Sequence, residues 1–167
     1  DPLAEVGAFC RERGLWLHVD AAHGGPALLT GRYRHLMRGV ELADSVCMNM
    51  HKLMRVPALC TALLVRDAAA LDRAFSQDAP YLFFEKEQVG VDFVHRTIEC
   101  TKPVMGLKFF MVLAALGEAG MAAGIERQFD LTREVYEYLR ELPDFECPLA
   151  PECNILCFGV RGLDAEH

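Results

Sequence analysis

The sequence predicts an α/β fold in which helices pack on a mostly parallel sheet. Short apolar runs with the length of buried strands are interspersed with segments whose apolar residues recur at helical spacing. With 167 residues and 52% hydrophobic content, the chain is long and apolar enough to bury a sizeable core. Two of the strands end at or just before a charged residue, and ligands bind at that edge of open α/β sheets.

The first half of the chain begins with a helix that Asp1 caps, that has Pro2 at its first position and that Gly14 ends. Strands are expected at three apolar runs, 15–22, 44–49 and 60–67. The glycine-punctuated segment between the first two strands is expected to be a partly helical crossover. A short helix near 68–75 is predicted to lead into a long functional or interface loop that ends at residue 102.

The second half is predicted to be mainly helical. Apolar residues recur at helical spacing over 103–117, where Gly117 ends the first helix. A longer helix is expected from Met121 to Leu142, and Pro143 stops it. The segments "FECPL" and "NILCFGV" are typical of two short strands in a small C-terminal unit.

Composition and charge exclude several classes of function. The formal net charge is −7, and the longest basic cluster is confined to 32–35, which argues against a nucleic-acid surface and favours a protein that handles small molecules. The longest apolar run, near Phe109–Gly117, is too short to span a bilayer. Seven cysteines without a C-x-x-C spacing disfavour a disulfide framework or a zinc ribbon. We therefore expect a cytoplasmic protein without nucleic-acid or membrane partners.

Lys52 is the first candidate functional residue because it lies within the apolar stretch "SVCMNMHKLMRVPALC". Two interpretations are open: its stem follows apolar surface out to solvent, or its neighbours desolvate the amine, lower its pKa and make it nucleophilic. Asp20, at the end of the first strand, either caps a helix that begins after it or partners a buried cation. A lysine and a carboxylate on one sheet edge suggest pyridoxal phosphate, whose ring nitrogen needs an acid to stay protonated.

The segments around these two residues resemble the group II pyridoxal-phosphate-dependent amino-acid decarboxylases, which include the glutamate, cysteine-sulfinate and aromatic-amino-acid enzymes. The chain contains, in the family's order, "HVDAAHGG", "RHLMRGVELADSVCMNMHK" and "LCTALLVRD". The later "CTKPVMGLKFF" and "NILCF" extend the resemblance over nearly the whole chain. The combination of segments is specific, whereas each segment alone is a weak signal.

The resemblance implies roles for five residues. Lys52 would carry the cofactor as an internal aldimine, and Asp20 would hold the pyridine nitrogen. Ala22 would pack against one face of the ring, where only a small side chain fits. His51 and Asn49 would lie at the cofactor, with Asn49 near its phosphate. No metal site is implied.

The resemblance also implies a fold and a reaction. The fold would be the PLP-dependent transferase-like fold (fold type I), with 1–117 as the C-terminal part of the cofactor-binding large domain and 118–167 as the start of an incomplete small domain. The whole protein would be a homodimeric lyase that converts an L-amino acid to its amine and CO2, and the fragment alone would be inactive. Transamination and oxidative deamination are the alternative reactions of the same fold.

The chain departs from the family's pattern at several positions. Met50 stands where the family has a proline, His23 where an aromatic residue is frequent, and Lys102 where an arginine is usual. The stretch "FFEKEQVGVDFVHR" lacks the tyrosine that many members use as a proton donor, which leaves that role to His95 or another group.

Two rival functions are open. The spacing His18-x-Asp20-x-x-His23 offers three metal ligands, with His18 and Asp20 on one side of a strand, which is compatible with a metal-dependent hydrolase. A non-catalytic relative with the same fold, acting as a binding or dimerisation partner, is the other rival. Uptake of the cofactor by Lys52 distinguishes the main hypothesis from both.

Overall fold

The computed structural model describes residues 1–75, 93–99 and 101–163. Its helices are α1 (Leu3–Glu12), α2 (Ala68–Phe75) and α3 (Met105–Arg140), and its strands are β1 (His18–Asp20), β2 (Ser45–Asn49), β3 (Thr61–Val65), β4 (Phe145–Glu146) and β5 (Gly159–Val160). Short 3₁₀ helices lie at Gly25–Leu29, Arg34–Met37, Val40–Leu42 and Phe93–Arg96. The predicted order of helix, strand, partly helical crossover, two strands and helix is confirmed for residues 1–75. Most of the predicted loop up to residue 102 lies outside the described residues.

The first three strands form one sheet in the order β1-β2-β3. β1 and β2 are parallel, and Asp20 lies opposite Cys47. β3 is antiparallel to β2, and Val65 lies opposite Ser45. The expectation of a mostly parallel sheet is therefore right for the first pair and wrong for the second. Only 50–60 connect β2 to β3, and a parallel return needs a crossover of a dozen or more residues.

One face of the sheet packs on the core of the molecule. In β1, Val19 is buried while its neighbours His18 and Asp20 are exposed, as the alternation of a strand requires. Val19 belongs to a cluster of buried residues that also includes residues of the crossover and of α3. The cluster therefore joins distant parts of the chain. Its buried members are Leu17, Val19, Ala21, Ala27, Tyr33, Met37, Ala43, Leu53, Ile125 and Phe129.

A polar and aromatic clasp attaches the crossover to the second half of α3. The rings of Tyr33 and Phe129 pack with their centroids 4.7 Å apart. The Tyr33 hydroxyl donates to Asp130 Oδ1 at 2.6 Å, and the Arg32 guanidinium donates to both oxygens of the same carboxylate at 2.7 and 3.0 Å. The predicted domain boundary at residue 117 stays a prediction, and this clasp crosses it.

Gly117 interrupts α3 with φ 66 and ψ 173, a backbone conformation that glycine adopts without steric cost. The predicted end of the first helix at this residue is thus confirmed as a break within one long element. By length and composition alone α3 is apolar enough to cross a membrane. Its second half, however, carries Ile125 and Phe129 into the core.

The C-terminal unit contains the two predicted strands in shortened form. β4 and β5 pair antiparallel, with Phe145 opposite Val160. The rings of Phe145 and Phe158 lie 6.1 Å apart between centroids, which adds an aromatic contact to this small ribbon.

Candidate active site

The ends of β1 and β2 bring the predicted site residues to one edge of the sheet. Because these strands are parallel, their carboxyl ends coincide, and Asp20 and Asn49 each end a strand. The backbone continues the pairing beyond β1: Ala21 N–H donates to Cys47 O at 3.0 Å, and Asn49 N–H donates to Ala22 O at 3.1 Å. The loop after Asp20 is thus hydrogen-bonded to the strand that leads to Lys52.

The Asp20 carboxylate is held by two donors on the same oxygen. Its Oδ1 accepts from Ala22 N–H at 3.0 Å and from the Cys47 thiol at 3.1 Å. The Ala22 bond lowers the pKa of Asp20 most, the Cys47 bond lowers it further, and the charges of Lys52 and His18 add smaller contributions against an opposing effect of burial. Asp20 is therefore ionised at neutral pH. Its backbone contact is a local turn two residues long and not a helix cap, since the next helix begins at Gly25.

Lys52 lies on a tight turn directly after β2. Its N–H donates to Asn49 O at 3.3 Å, and its carbonyl accepts from Arg55 N–H at 3.1 Å. The turn directs Leu53 and Met54, which are 2% and 5% exposed, into the interior and leaves Lys52 exposed. The expectation that these neighbours desolvate the Lys52 amine is therefore wrong for the structure of this chain.

His51 and Asn49 attach this turn to β3. His51 Nδ1 lies 3.0 Å from Cys60 N and 2.9 Å from Cys60 O, and Asn49 Oδ1 accepts from the Thr61 hydroxyl at 2.8 Å. Both predicted residues thus lie beside Lys52, and each uses one side-chain atom to hold the turn.

His23, which replaces a frequent aromatic residue, connects the Asp20 loop to the C-terminal unit. Its Nε2 lies 2.6 Å from Asn154 Oδ1. Asn154 opens the segment "NILCF", so two segments that are far apart in the chain meet at the loop after Asp20. Ala22, immediately before His23, is half-buried.

The three residues of the metal hypothesis do not converge. His18 Nδ1 contacts Ser45 Oγ at 2.7 Å, whereas His23 contacts Asn154 and Asp20 is held by Ala22 and Cys47. Within residues 1–75, 93–99 and 101–163, no three His, Cys, Asp or Glu side chains gather as metal ligands do. A groove of about 580 Å³ on the exposed sheet face is lined by Trp16, His18 and Ser45 among others, and by none of the five predicted site residues.

Cys47 is a residue of this site that the local sequence does not reveal. Strand alternation alone places it on one face of β2, but only the register with β1 shows that this face is the one that carries Asp20. The motif "VCMN" gave no signal, because a cysteine in an apolar strand is most often a packing residue.

Comparison with known proteins decides which family these features represent. Residues 1–161 match the family model described as the pyridoxal-dependent decarboxylase conserved domain. The chain belongs to this family. The resemblance noted in the sequence is thereby confirmed, and Asp20, Lys52 and the residues around them lie within the matched part of this pyridoxal-dependent decarboxylase chain.

Characterised members of the pyridoxal-dependent decarboxylase family are similar to the chain over most of its length. Cysteine sulfinic acid decarboxylase of Rattus norvegicus is 38% identical over 161 residues, which are 95% of this chain and 33% of that protein. Acidic amino acid decarboxylase GADL1 of Mus musculus is 37% identical over 95% of this chain and 29% of its own length. L-aspartate decarboxylase dtxS4 of Metarhizium robertsii is 35% identical, with 95% and 32% covered.

Solved structures of pyridoxal-dependent decarboxylases have the same fold. The apo form of mouse CSAD superposes with a TM-score of 0.86 at 38% identity, covering 96% of this chain and 33% of that one. Oryza sativa TDC with PLP and tryptamine superposes with a TM-score of 0.88 at 28% identity, with 96% and 33% covered. The predicted fold type I is confirmed, and the chain spans about a third of the length of the relatives that it matches.

Proposed function

We propose that the whole protein to which this chain corresponds is a pyridoxal-phosphate-dependent carboxy-lyase that converts an L-amino acid to its amine and CO2. The observation that carries the proposal is the placement of an ionised carboxylate and an exposed primary amine at one sheet edge, on the ends of two parallel strands. In open α/β sheets this is the edge at which ligands bind.

The side chains at this edge fit the cofactor that the family's name requires. Within the part of the chain that the structure describes, Asp20 Oδ2 takes part in no hydrogen bond and Lys52 Nζ in no ion pair, so a carboxylate oxygen and an amine are both left for a ligand. Ala22, next to Asp20 in the same loop, offers a small side chain where a flat ring would lie. Asn49 and His51 border the same turn.

When bound, pyridoxal phosphate supplies an electron sink for the pair of electrons that the departing carboxylate leaves behind. The chain's own residues supply the rest. The ionised Asp20, whose Oδ2 is left for a ligand, would keep a proton on the ring nitrogen. Lys52 Nζ is the nucleophile that would hold the cofactor, and the turn from Asn49 to Arg55 keeps the root of that side chain in place.

An acidic L-amino acid is the proposed substrate. The relatives with 35% to 38% identity are named as decarboxylases of cysteine sulfinic acid, of acidic amino acids and of L-aspartate. The neighbour named for tryptamine is 28% identical. The stronger similarity to the former group favours a substrate with a second negative charge.

The proposal includes a homodimer in the cytoplasm. An exposed apolar row on the first half of α3, formed by Leu107, Phe110 and Met111, supports an interface with a second copy. The cysteines that the structure describes are all free thiols, which is the state that a reducing compartment maintains.

The test is the visible absorption of the full-length protein with pyridoxal phosphate, beside Lys52→Arg and Lys52→Ala. The parent is expected to show the band of a lysine-bound cofactor, and both variants are expected to lose it, since arginine keeps the charge but not the nucleophile. Borohydride reduction followed by peptide mapping should place the adduct on Lys52. Release of CO2 from L-cysteine sulfinate, L-aspartate and L-glutamate is then compared with release from L-tryptophan.

Absence of the band in a folded, full-length parent would refute the proposal. A band without CO2 release, but with transfer or loss of the amino group, would instead show that the reaction is transamination or oxidative deamination.

A further inference from the structure

Cys47 contacts the Asp20 carboxylate from the neighbouring strand. The two residues are directly opposite in the parallel pairing of β1 and β2, and both side chains lie on the sheet face away from Val19. The Cys47 thiol donates to Asp20 Oδ1 at 3.1 Å. The contact therefore results from the register of the sheet and not from the chance position of a loop.

The Cys47 bond determines which carboxylate oxygen is left for a ligand. Ala22 N–H donates to the same Oδ1 at 3.0 Å, so one oxygen receives both internal hydrogen bonds. Two donors from different directions, one on β2 and one on the loop after β1, fix the rotation of the carboxylate about its Cβ–Cγ bond. Among the residues that the structure describes, Oδ2 receives no donor and is presented at the sheet edge.

We propose that Cys47 is a positioning residue that holds Asp20 through Oδ1 and thereby directs Oδ2 to the pyridine nitrogen of the cofactor. The inference rests on the proposed function, since it concerns how the same site holds pyridoxal phosphate. In this role Cys47 acts through Asp20 and needs no contact of its own with the cofactor or the substrate.

The protonation states of both groups favour this arrangement. Burial raises the pKa of the Cys47 thiol, and the hydrogen bond to Asp20 and the negative charge of that carboxylate raise it further. The thiol thus keeps the proton that it donates at neutral pH. The same bond lowers the pKa of Asp20. The contact therefore favours a protonated Cys47 and an ionised Asp20, which are the two forms that it needs.

The test uses the affinity of the full-length protein for pyridoxal phosphate, measured by equilibrium titration of the visible band. Cys47→Ala removes the donor and is expected to weaken binding by about tenfold, the usual size of one lost hydrogen bond to a charged group, and to shift the band. Cys47→Ser restores an O–H donor of similar size and is expected to bind within about twofold of the parent.

A double-mutant cycle separates positioning from packing. If Cys47 acts only through Asp20, Cys47→Ala has no further effect on affinity in an Asp20→Ala background. Equal weakening in both backgrounds, or an unchanged affinity and spectrum of Cys47→Ala, would overturn the inference and leave the proposed function standing. If Cys47→Ala does not fold, Cys47→Val against Cys47→Ser decides the same question. A parent without the band would instead refute the proposed function itself.

Discussion

At the scale of single residues, Asp130 shows how one carboxylate holds two elements together. The Arg32 guanidinium and then the Tyr33 hydroxyl lower the pKa of Asp130 below its usual 3.8. Because the folded pKa is lower than the unfolded one, the ionised carboxylate stabilises the fold above pH 3.8, and this contribution is lost as the pH falls through the folded value.

Asp130→Asn is therefore expected to change the acid dependence of stability. At pH 7 the variant should melt below the parent because Arg32 loses its ionic partner. As the pH falls below 3.8, the difference between the two melting temperatures should shrink, since the parent then loses the same contribution. Thermal unfolding of the full-length protein across this range measures the difference, and Tyr33→Phe, which removes one of the bonds to Asp130, should be intermediate. A constant difference at all pH values would contradict the prediction.

The residue scale also shows how far the candidate site was predictable. Asp20 and Lys52 were placed at one sheet edge because each comes after an apolar strand, which is a local pattern. The exposure of Lys52 was not predictable in this way, since it depends on a turn that sends Leu53 and Met54 inward. Cys47 was missed because its role depends on the pairing register of two strands, which local composition does not encode.

At the scale of elements, α3 illustrates the same limit. Helical periodicity and Gly117 were sufficient to predict both halves of the helix and the break between them. They did not reveal that the second half packs on the crossover, because contacts such as Tyr33 with Asp130 join residues 97 positions apart. The orientation of β3 was likewise mispredicted from the general pattern of the fold, although the shortness of 50–60 favours a turn.

Ile125→Ala tests whether the second half of α3 belongs to the same folding unit as the sheet. Ile125 is 0% exposed within the cluster that contains Val19. Truncation is expected to cost about 2–5 kcal/mol of unfolding free energy, through lost burial and the cavity that remains. Denaturant unfolding of the full-length protein provides the measurement. Leu131→Ala, at a position 47% exposed on the same helix, is the control and should cost much less. Two separate transitions, with only one affected, would show instead that this segment unfolds independently.

At the scale of the whole molecule, the exposed apolar row on α3 is the feature that calls for a partner. Leu107, Phe110 and Met111 are 55% to 60% exposed on neighbouring turns of one helix. Monomeric soluble proteins rarely leave a contiguous apolar patch of this kind uncovered. The homodimer of the proposed function would cover this row.

Leu107→Glu combined with Phe110→Glu is expected to dissociate the full-length dimer, since two carboxylates in an apolar interface are not solvated there. Sedimentation velocity should then give the mass of a single subunit where the parent gives two. Leu149→Glu, at a residue 66% exposed outside α3, is the matched control and should leave the mass unchanged. A double variant that still sediments as a dimer would place the interface elsewhere.

The turn that carries Lys52 limits which part of this residue can move. Its base is tied at several points: Met50 N–H donates to Cys60 O at 2.9 Å, Cys60 N–H donates to His51, and Asn49 is bonded to Thr61. These hydrogen bonds hold the backbone of the turn in place, whereas the side chain of Lys52 is exposed and can change rotamer. If Lys52 holds the cofactor as proposed, its amine would move only through the rotamers of its own four-carbon stem. Such a movement of the Lys52 amine would require no rearrangement of the turn or of the sheet.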